Sequence, residues 1–302
     1  MYMLEADNVS YTVSGKSILR DVSVSIHPGR VTAIAGPNGA GKSTLLRLLC
    51  GELAPSLGSV RVDGEPLSAI QSSAIARRRA VVSQEQSFGF NMPAFDVAML
   101  GRTPHVRGSE STRDYEIVAA SMDAVHAIDL ADADFPVLSG GEKQKVALAR
   151  GGAQIWEEQP EGPRYLLLDE PTNNLDLSHQ HTALQQARAW AESGVGVLVV
   201  LHDLNLAAQY ADKLVVLRCG TRVADGHPGV VLTGELMRDV FNAEALVQPH
   251  PCLNCPLVVT LGPAGNARST ASGSANHLPT QQSPSTNGNS GAMRRNSTGD
   301  SP

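Results

Sequence analysis

Gly36-Pro37-Asn38-Gly39-Ala40-Gly41-Lys42-Ser43-Thr44 has the residue types and spacing to hold a chain of phosphates. It fits the pattern G-x-x-x-x-G-K-[ST] in full. A glycine-rich turn that opens a helix leaves backbone N–H groups free to surround an anion. Lys42 would reach the β- and γ-phosphates, and the Ser43 hydroxyl would bind Mg²⁺. Two further sets lie downstream. Asp169-Glu170 follows the apolar run Tyr165-Leu166-Leu167-Leu168, and His202-Asp203 follows the apolar run 196–201. Asp169 can orient Mg²⁺ and its waters. Glu170 can hold the attacking water, a general-base contribution of roughly 10²–10⁴ in rate. His202 can contact the γ-phosphate and fix that water. Singly, a strand-end carboxylate is ordinarily solvated and a histidine structural. In this order behind a phosphate loop, they point to nucleoside triphosphate hydrolysis.

These groups need elements to carry them. Val31–Ala35 is a continuous apolar run, as in a buried strand, and Leu45, Leu46, Leu48 and Leu49 give a helical face. The runs at 165–168, 196–201 and 213–217 are apolar without alternation, the mark of strands covered on both faces. Residues 3–35 form a β region in which Val9, Tyr11 and Val13 alternate with Ser10 and Thr12. Tyr11 is either an ordinary strand tyrosine or a ring placed to stack on a base. A short strand is expected at 58–64 and another at Ala80-Val81-Val82, ending at Ser83-Gln84; the Arg77-Arg78-Arg79 triplet before it reads as a solvated face. From about 85 to 156 the pattern turns helical. Ser111 or Thr112 can cap a helix with Tyr115, Val118, Met122 and Val125 on one side. Leu138-Ser139-Gly140-Gly141-Glu142 opens the next helix, with Ser139 and Glu142 at capping-box spacing. Thr233 can cap a last helix.

With 302 residues and 42% hydrophobic content, the chain is long enough for one large α/β domain or two modest ones. A net charge of −6 and a pI near 5.8 argue against nucleic-acid binding as the main task. No apolar run approaches the ~20 residues needed to span a bilayer, and the first residues lack the pattern of a signal peptide. The expectation is a cytosolic protein, held at a membrane only by a partner. Cys252 and Cys255 make a single C-x-x-C, which can be a redox pair or half a zinc site. Without a second pair or a surrounding helix, it reads as two reduced thiols in a proline-bounded turn. Beyond residue 262 the composition is Ser, Thr, Asn, Gly and Pro, expected to be a disordered tail.

Taken in order, the phosphate loop, Gln84, Leu138–Glu142, residues 166–170, Asn174-Leu175-Asp176 and His202 resemble the nucleotide-binding subunit of ABC transporters, over roughly residues 3–247. The resemblance implies an α/β fold with a phosphate-loop core sheet, an N-terminal antiparallel β subdomain and a helical insert at about 85–158. It implies domains at 1–247, a C-x-x-C extension at 248–261 and the tail at 262–302. Residues 36–44, Tyr11, Gln84 and Asp169 would then bind ATP, with Tyr11 on the adenine. Ser43, Gln84 and Asp169 would face Mg²⁺, with Gln84 linking it to the transport partner. Ser139, Gly140, Gly141, Glu142 and Asp176 would contact the ATP held by a second copy. Glu142 stands where many members have Gln, and Asn173-Asn174 where small residues are commoner; both changes are close to neutral chemically.

Residues 95–105 and 201–212 are similar to importers of iron-siderophores, haem and cobalamin, while 176–181 and the long stretch 153–164 lean toward the haem importers. The implied partners are a second ATPase subunit, a membrane permease dimer and, indirectly, a periplasmic or surface solute-binding protein, with no nucleic acid. The rivals are an iron-siderophore or cobalamin importer and, more remotely, a soluble ABC protein acting on DNA or ribosomes. About a hundred residues without heptads separate Lys42 from Leu138, which disfavours the DNA-repair relatives; one cassette disfavours the ribosomal ones. His179 and His181 read as helix-surface residues.

Overall fold

The computed structural model describes residues 2–83, 91–173 and 175–265. Strands β1 (Leu4–Val13) and β2 (Lys16–Ile26) form a hairpin turned by Ser14 and Gly15, both at positive φ. The chain then leaves this hairpin for β3 (Val31–Ala35), the phosphate loop and α1 (Lys42–Leu49). It returns as β4 (Leu57–Val62) and the short β5 (Glu65–Pro66), which complete an antiparallel sheet of order β2-β1-β4-β5. Next come α2 (Ser72–Arg78) and β6 (Arg79–Val82). A helical stretch follows: α3 (Ala94–Met99), α4 (Thr112–Ala124) and α5 (Gly140–Gln154). Then β7 (Tyr165–Asp169), α6 (Leu177–Glu192), β8 (Gly196–Val200), α7 (Leu204–Tyr210), β9 (Lys213–Arg218) and β10 (Thr221–Gly226) build the second sheet. Helices α8 (Pro228–Val231) and α9 (Gly234–Phe241) lead to a hairpin of β11 (Ala243–Pro249) and β12 (Pro256–Pro263).

The six-stranded sheet runs β10-β9-β3-β8-β7-β6, parallel except for β10 at the edge. Its central strands are buried on both faces, which is why their sequences run apolar without a break. Alternate residues serve separate cores. Ala33, Leu166, Leu168, Val197, Val199, Leu214 and Val216 pack with the helical insert, α6 and α7. Ile34, Leu167, Leu198, Val200, Val215 and Leu217 pack with α1 and the antiparallel sheet. The insert lies where a parallel pair requires a crossover, between β6 and its neighbour β7. Ser111 caps α4 in a full capping box with Asp114. Asp114, buried, also receives Arg102 at 2.8 Å, and Arg102 reaches the Ala153 carbonyl and Glu157, so one guanidinium ties α4 to the end of α5.

The Arg77-Arg78-Arg79 triplet is not a solvated face: Arg78 is buried, paired with Asp63 and bonded to the Pro163 carbonyl, and Arg77 pairs with Glu161 at 3.2 Å. Those acceptors come from β4–β5 and from the 153–164 stretch, so the triplet clamps that stretch to the sheet. The expected boundary at 247 cuts through β11, whose pairing runs from Ala243 to Pro249 against β12. Cys252 and Cys255 are free thiols in the loop of that hairpin. Residues 266–302 of the expected tail lie outside the described residues. Among the described residues, no helix is long and apolar enough to cross a membrane.

Candidate nucleotide-binding and hydrolysis site

Parallel strands deliver their chemistry at their carboxyl ends. Here β3 ends in the phosphate loop, β7 ends at Asp169, and β8, paired between them, ends two residues before His202. A cleft of about 610 Å³ opens at this edge, lined by residues 38–44 and Glu170, and by Lys16, Ser17, Ile18 and Cys219 on the other side.

The phosphate loop is shaped from within the chain. A Cβ on Gly36 would stand 2.2 Å from the Leu217 carbonyl oxygen of β9, and Gly41 has φ +102 with the Leu19 side chain 2.6 Å from where a Cβ would be. Only glycine fits both places. Lys42, the first residue of α1, is buried, and its ammonium donates to the carbonyls of Gly36 at 2.9 Å and Pro37 at 3.2 Å. Burial lowers its pKa, while Glu170 and Asp169 pull the other way.

Asp169 has the complementary problem. Burial pushes its carboxyl up, the neighbouring Glu170 charge adds to this, and Ser43, Lys42 and His202 oppose it. Among the described residues, its Oδ1 is buried with no hydrogen-bond partner. An orphaned carboxylate oxygen beside a serine hydroxyl, under a phosphate loop, is the donor set that Mg²⁺ takes. Ser43 and Asp169 therefore fit the metal; Gln84, the third residue expected there, lies outside the described residues.

Glu170 sits one residue past the strand with φ +51, a left-handed backbone that is costly for any residue but glycine. It opens a turn, Glu170-Pro171-Thr172-Asn173, closed by the Asn173 N–H on the Glu170 carbonyl at 3.2 Å. Its side chain, 11% exposed, has His202 Nε2 2.5 Å from Oε1. Its Oε2 accepts from Asn173 Nδ2. The structure thus brings Lys42, Ser43, Asp169, Glu170 and His202 to one edge, and adds Asn173. Sequence reasoning missed Asn173 because the contact depends on the left-handed turn; the signal was its place three residues after the acid, behind a proline.

The other expected site residues lie apart from this cleft. The ring of Tyr11 packs against the core of α1 and the antiparallel sheet and does not line the cleft. Ser139 and Glu142 form the capping box of α5: Ser139 N donates to Glu142 Oε2 at 2.8 Å, and Glu142 N to Ser139 Oγ at 3.3 Å. Gly140 has open space around it, and Gly141 meets only Leu175. Asp176 caps α6 by accepting from His179 N at 2.9 Å. His181 is not a free surface residue, since its Nδ1 lies 2.7 Å from the Tyr210 hydroxyl. Asn174 lies outside the described residues.

With this geometry in view, the relatives fall into line. Residues 19–173 match the ABC transporter family model. The chain is 49% identical over 262 residues to the hemin import ATP-binding protein HmuV of Gloeobacter violaceus, covering 87% of this chain and 95% of that one. It is 46% identical over 258 residues to the protein of the same name from Pseudomonas entomophila, covering 85% of this chain and all of the other. Among solved structures it is similar to a provisional member of the metal-chelate type of ABC transporters, caught inward-facing. There the TM-score is 0.72 at 26% identity, with 86% of this chain and 98% of the other covered. The chain belongs to the ABC transporter family. It is the ATPase of such a transporter, binding ATP with Mg²⁺, and the sequence relatives named here are the ATP-binding proteins of importers.

Proposed function

We propose that this chain powers the import of haem. It would work as a homodimer on the cytoplasmic face of the membrane, beneath a separate permease that receives its solute from a binding protein. The observation that carries the solute is the likeness to hemin import ATP-binding proteins at up to 49% identity over nearly the whole length of those relatives. The stretch 153–164, whose sequence leans toward the haem importers, is clamped to the sheet by Arg77 and Arg78.

Within the site, Lys42 and the N–H groups of residues 39–44 bind the β- and γ-phosphates. Ser43 and Asp169 hold Mg²⁺, which when bound neutralises charge on those phosphates. Glu170 accepts a proton from the attacking water, and His202 steadies the carboxylate and the γ-phosphate. Tyr11, outside the cleft as the single chain forms it, would meet the adenine at the cleft's edge, and Gln84 would relay the state of the site to the permease. Ser139, Gly140, Gly141 and Glu142, with Asp176, complete the site of the second copy. Open space at Gly140 supports this last role: nothing among the described residues calls for glycine there. The Ser139 oxygen accepts from Glu142 N and its hydroxyl bonds the Glu142 carboxylate, which fixes the start of α5 that would face the second copy's ATP.

The solute is tested by deleting the gene and comparing growth on haem and on ferric siderophore as sole iron source. Loss on haem alone is expected. Growth on haem with loss of siderophore or cobalamin uptake would assign the chain to that rival.

A further inference from the structure

We infer that Asn173 is a positioning residue for Glu170, its amide fixing the plane of the carboxylate so that the remaining lone pairs face the attacking water. The inference rests on the role proposed above for Glu170. A carboxylate has about four acceptor positions, two on each oxygen. His202 Nε2 occupies one on Oε1 and Asn173 Nδ2 one on Oε2. With His202 alone, the terminal torsion of Glu170, broad in any glutamate, would leave the second oxygen free to swing. Two donors, one on each oxygen, fix the plane and leave one position on each for the water. The Asn173 amide must present its nitrogen here, because its oxygen would face another acceptor.

The chemistry of the donor matters as much as its place. A lysine or arginine would pin the carboxylate equally well, but its charge would lower the carboxylate's affinity for a proton and so weaken the base. Asparagine is neutral and does not titrate, so it orients Glu170 at little cost in basicity. The donor is itself held. The Asn173 N–H closes the turn on the Glu170 carbonyl, while the Thr172 carbonyl accepts from Gln180 Nε2 at 3.3 Å and from Leu175 N at 3.4 Å. Gln180 belongs to α6, so the turn is anchored to a helix whose Ala183, Leu184 and Ala187 lie in the core.

The test uses the full-length protein and three variants. Asn173→Ala removes the donor; kcat should fall about tenfold or more, as expected for loss of a hydrogen bond to a charged group, with KM for ATP within twofold of the parent. Asn173→Gln keeps an amide and should recover most of kcat. Asn173→Asp keeps the size but places a negative charge against Glu170. That charge repels the carboxylate where the amide attracted it, so kcat should fall at least as far as in Asn173→Ala, with KM for ATP within twofold of the parent. A residue that merely shapes the turn would shift KM and thermal midpoint together. Parent-like kcat in Asn173→Ala or in Asn173→Asp overturns the inference. Glu170→Gln is measured alongside. If it hydrolyses ATP at the parent rate, the proposed role of Glu170 fails first; if it is inactive while Asn173→Ala is unimpaired, only the inference on Asn173 fails.

Discussion

Helices α1 and α5 both start among glycines, one at the floor of the cleft and one on an exposed edge. At α1 the surrounding chain leaves no alternative: Gly36 is pressed against the Leu217 carbonyl, and Gly41 is in a left-handed conformation against Leu19. At Gly140, where α5 begins, no such pressure exists: among the described residues a Cβ there would meet nothing within 4 Å. The helix would be firmer with alanine there, by up to ~1 kcal/mol. A glycine that the chain's own packing does not require points to something outside the chain. The first region closes an anion site from within; the second leaves a helix N-terminus exposed, as the proposed contact with a second copy requires.

The sharpest test of that contrast is Glu170→Gln. Turnover should fall by roughly 10²–10⁴, while Lys42, Ser43 and Asp169 still hold ATP. ATP should then bridge the two regions across a pair of chains, giving a stable dimer on sizing chromatography with Mg-ATP. Lys42→Ala should bind nucleotide poorly and stay monomeric. A Glu170→Gln protein that binds ATP yet remains monomeric at high concentration would break the outward role of residues 138–142.

The next test sets one glycine against the other. Gly36→Ala should cost about 1–3 kcal/mol of stability through overpacking, read as a lower thermal midpoint, and abolish ATP binding by isothermal titration. Gly140→Ala should hold or raise the thermal midpoint and leave ATP binding by the monomer intact, yet lower ATPase activity about tenfold by crowding the partner's γ-phosphate. If both variants behave alike, the contrast is wrong.

The smallest effect on chemistry is expected far from both regions. Burial disfavours the Asp114 charge, but the hydrogen bonds from Ser111 and the Arg102 guanidinium prevail and hold its carboxyl at about 2, below the ordinary 3.8. A depressed carboxyl adds stability above its unfolded value, and that stability fades as pH falls from about 3.8 through about 2. Asp114→Ala should therefore lose about 3 kcal/mol at neutral pH, as when a buried pair loses one partner. Thermal midpoints of parent and variant should converge in acid, with KM for ATP unchanged in both.

Much of this could be read ahead of the structure wherever the cause is local. Ser111, Ser139 and Thr233 cap helices because a hydroxyl bonds the N–H three residues on, a relation visible in the letters. Strands buried on both faces show as unbroken apolar runs, and so the carboxylates that follow them could be placed. What escaped depends on distant partners or on backbone shape. Arg78 is buried because Asp63 and Pro163 come to meet it. β10 went unseen because it is an edge strand with Val223 exposed. The β11–β12 hairpin went unseen because its two arms find each other across a loop of proline and cysteine. Asn173 escaped because a left-handed Glu170 turns a spacing of three into a contact.

The alternation of β7 between two cores carries a consequence for how this protein can change over generations. Leu166 and Leu168 face one core, Tyr165 and Leu167 the other, and Asp169 is the next step of the same ruler. Because a strand's side chains alternate with a period of two, gaining or losing a single residue here would turn every leucine to the wrong layer. The same slip would swing the acid away from Ser43. Insertions in this stretch are thus removed by misfolding before any test of activity. Length variation should accumulate instead where no ruler runs, as in the loop between β11 and β12. Deep insertion scanning would display this as a silent gap over residues 165–170 flanked by tolerant loops.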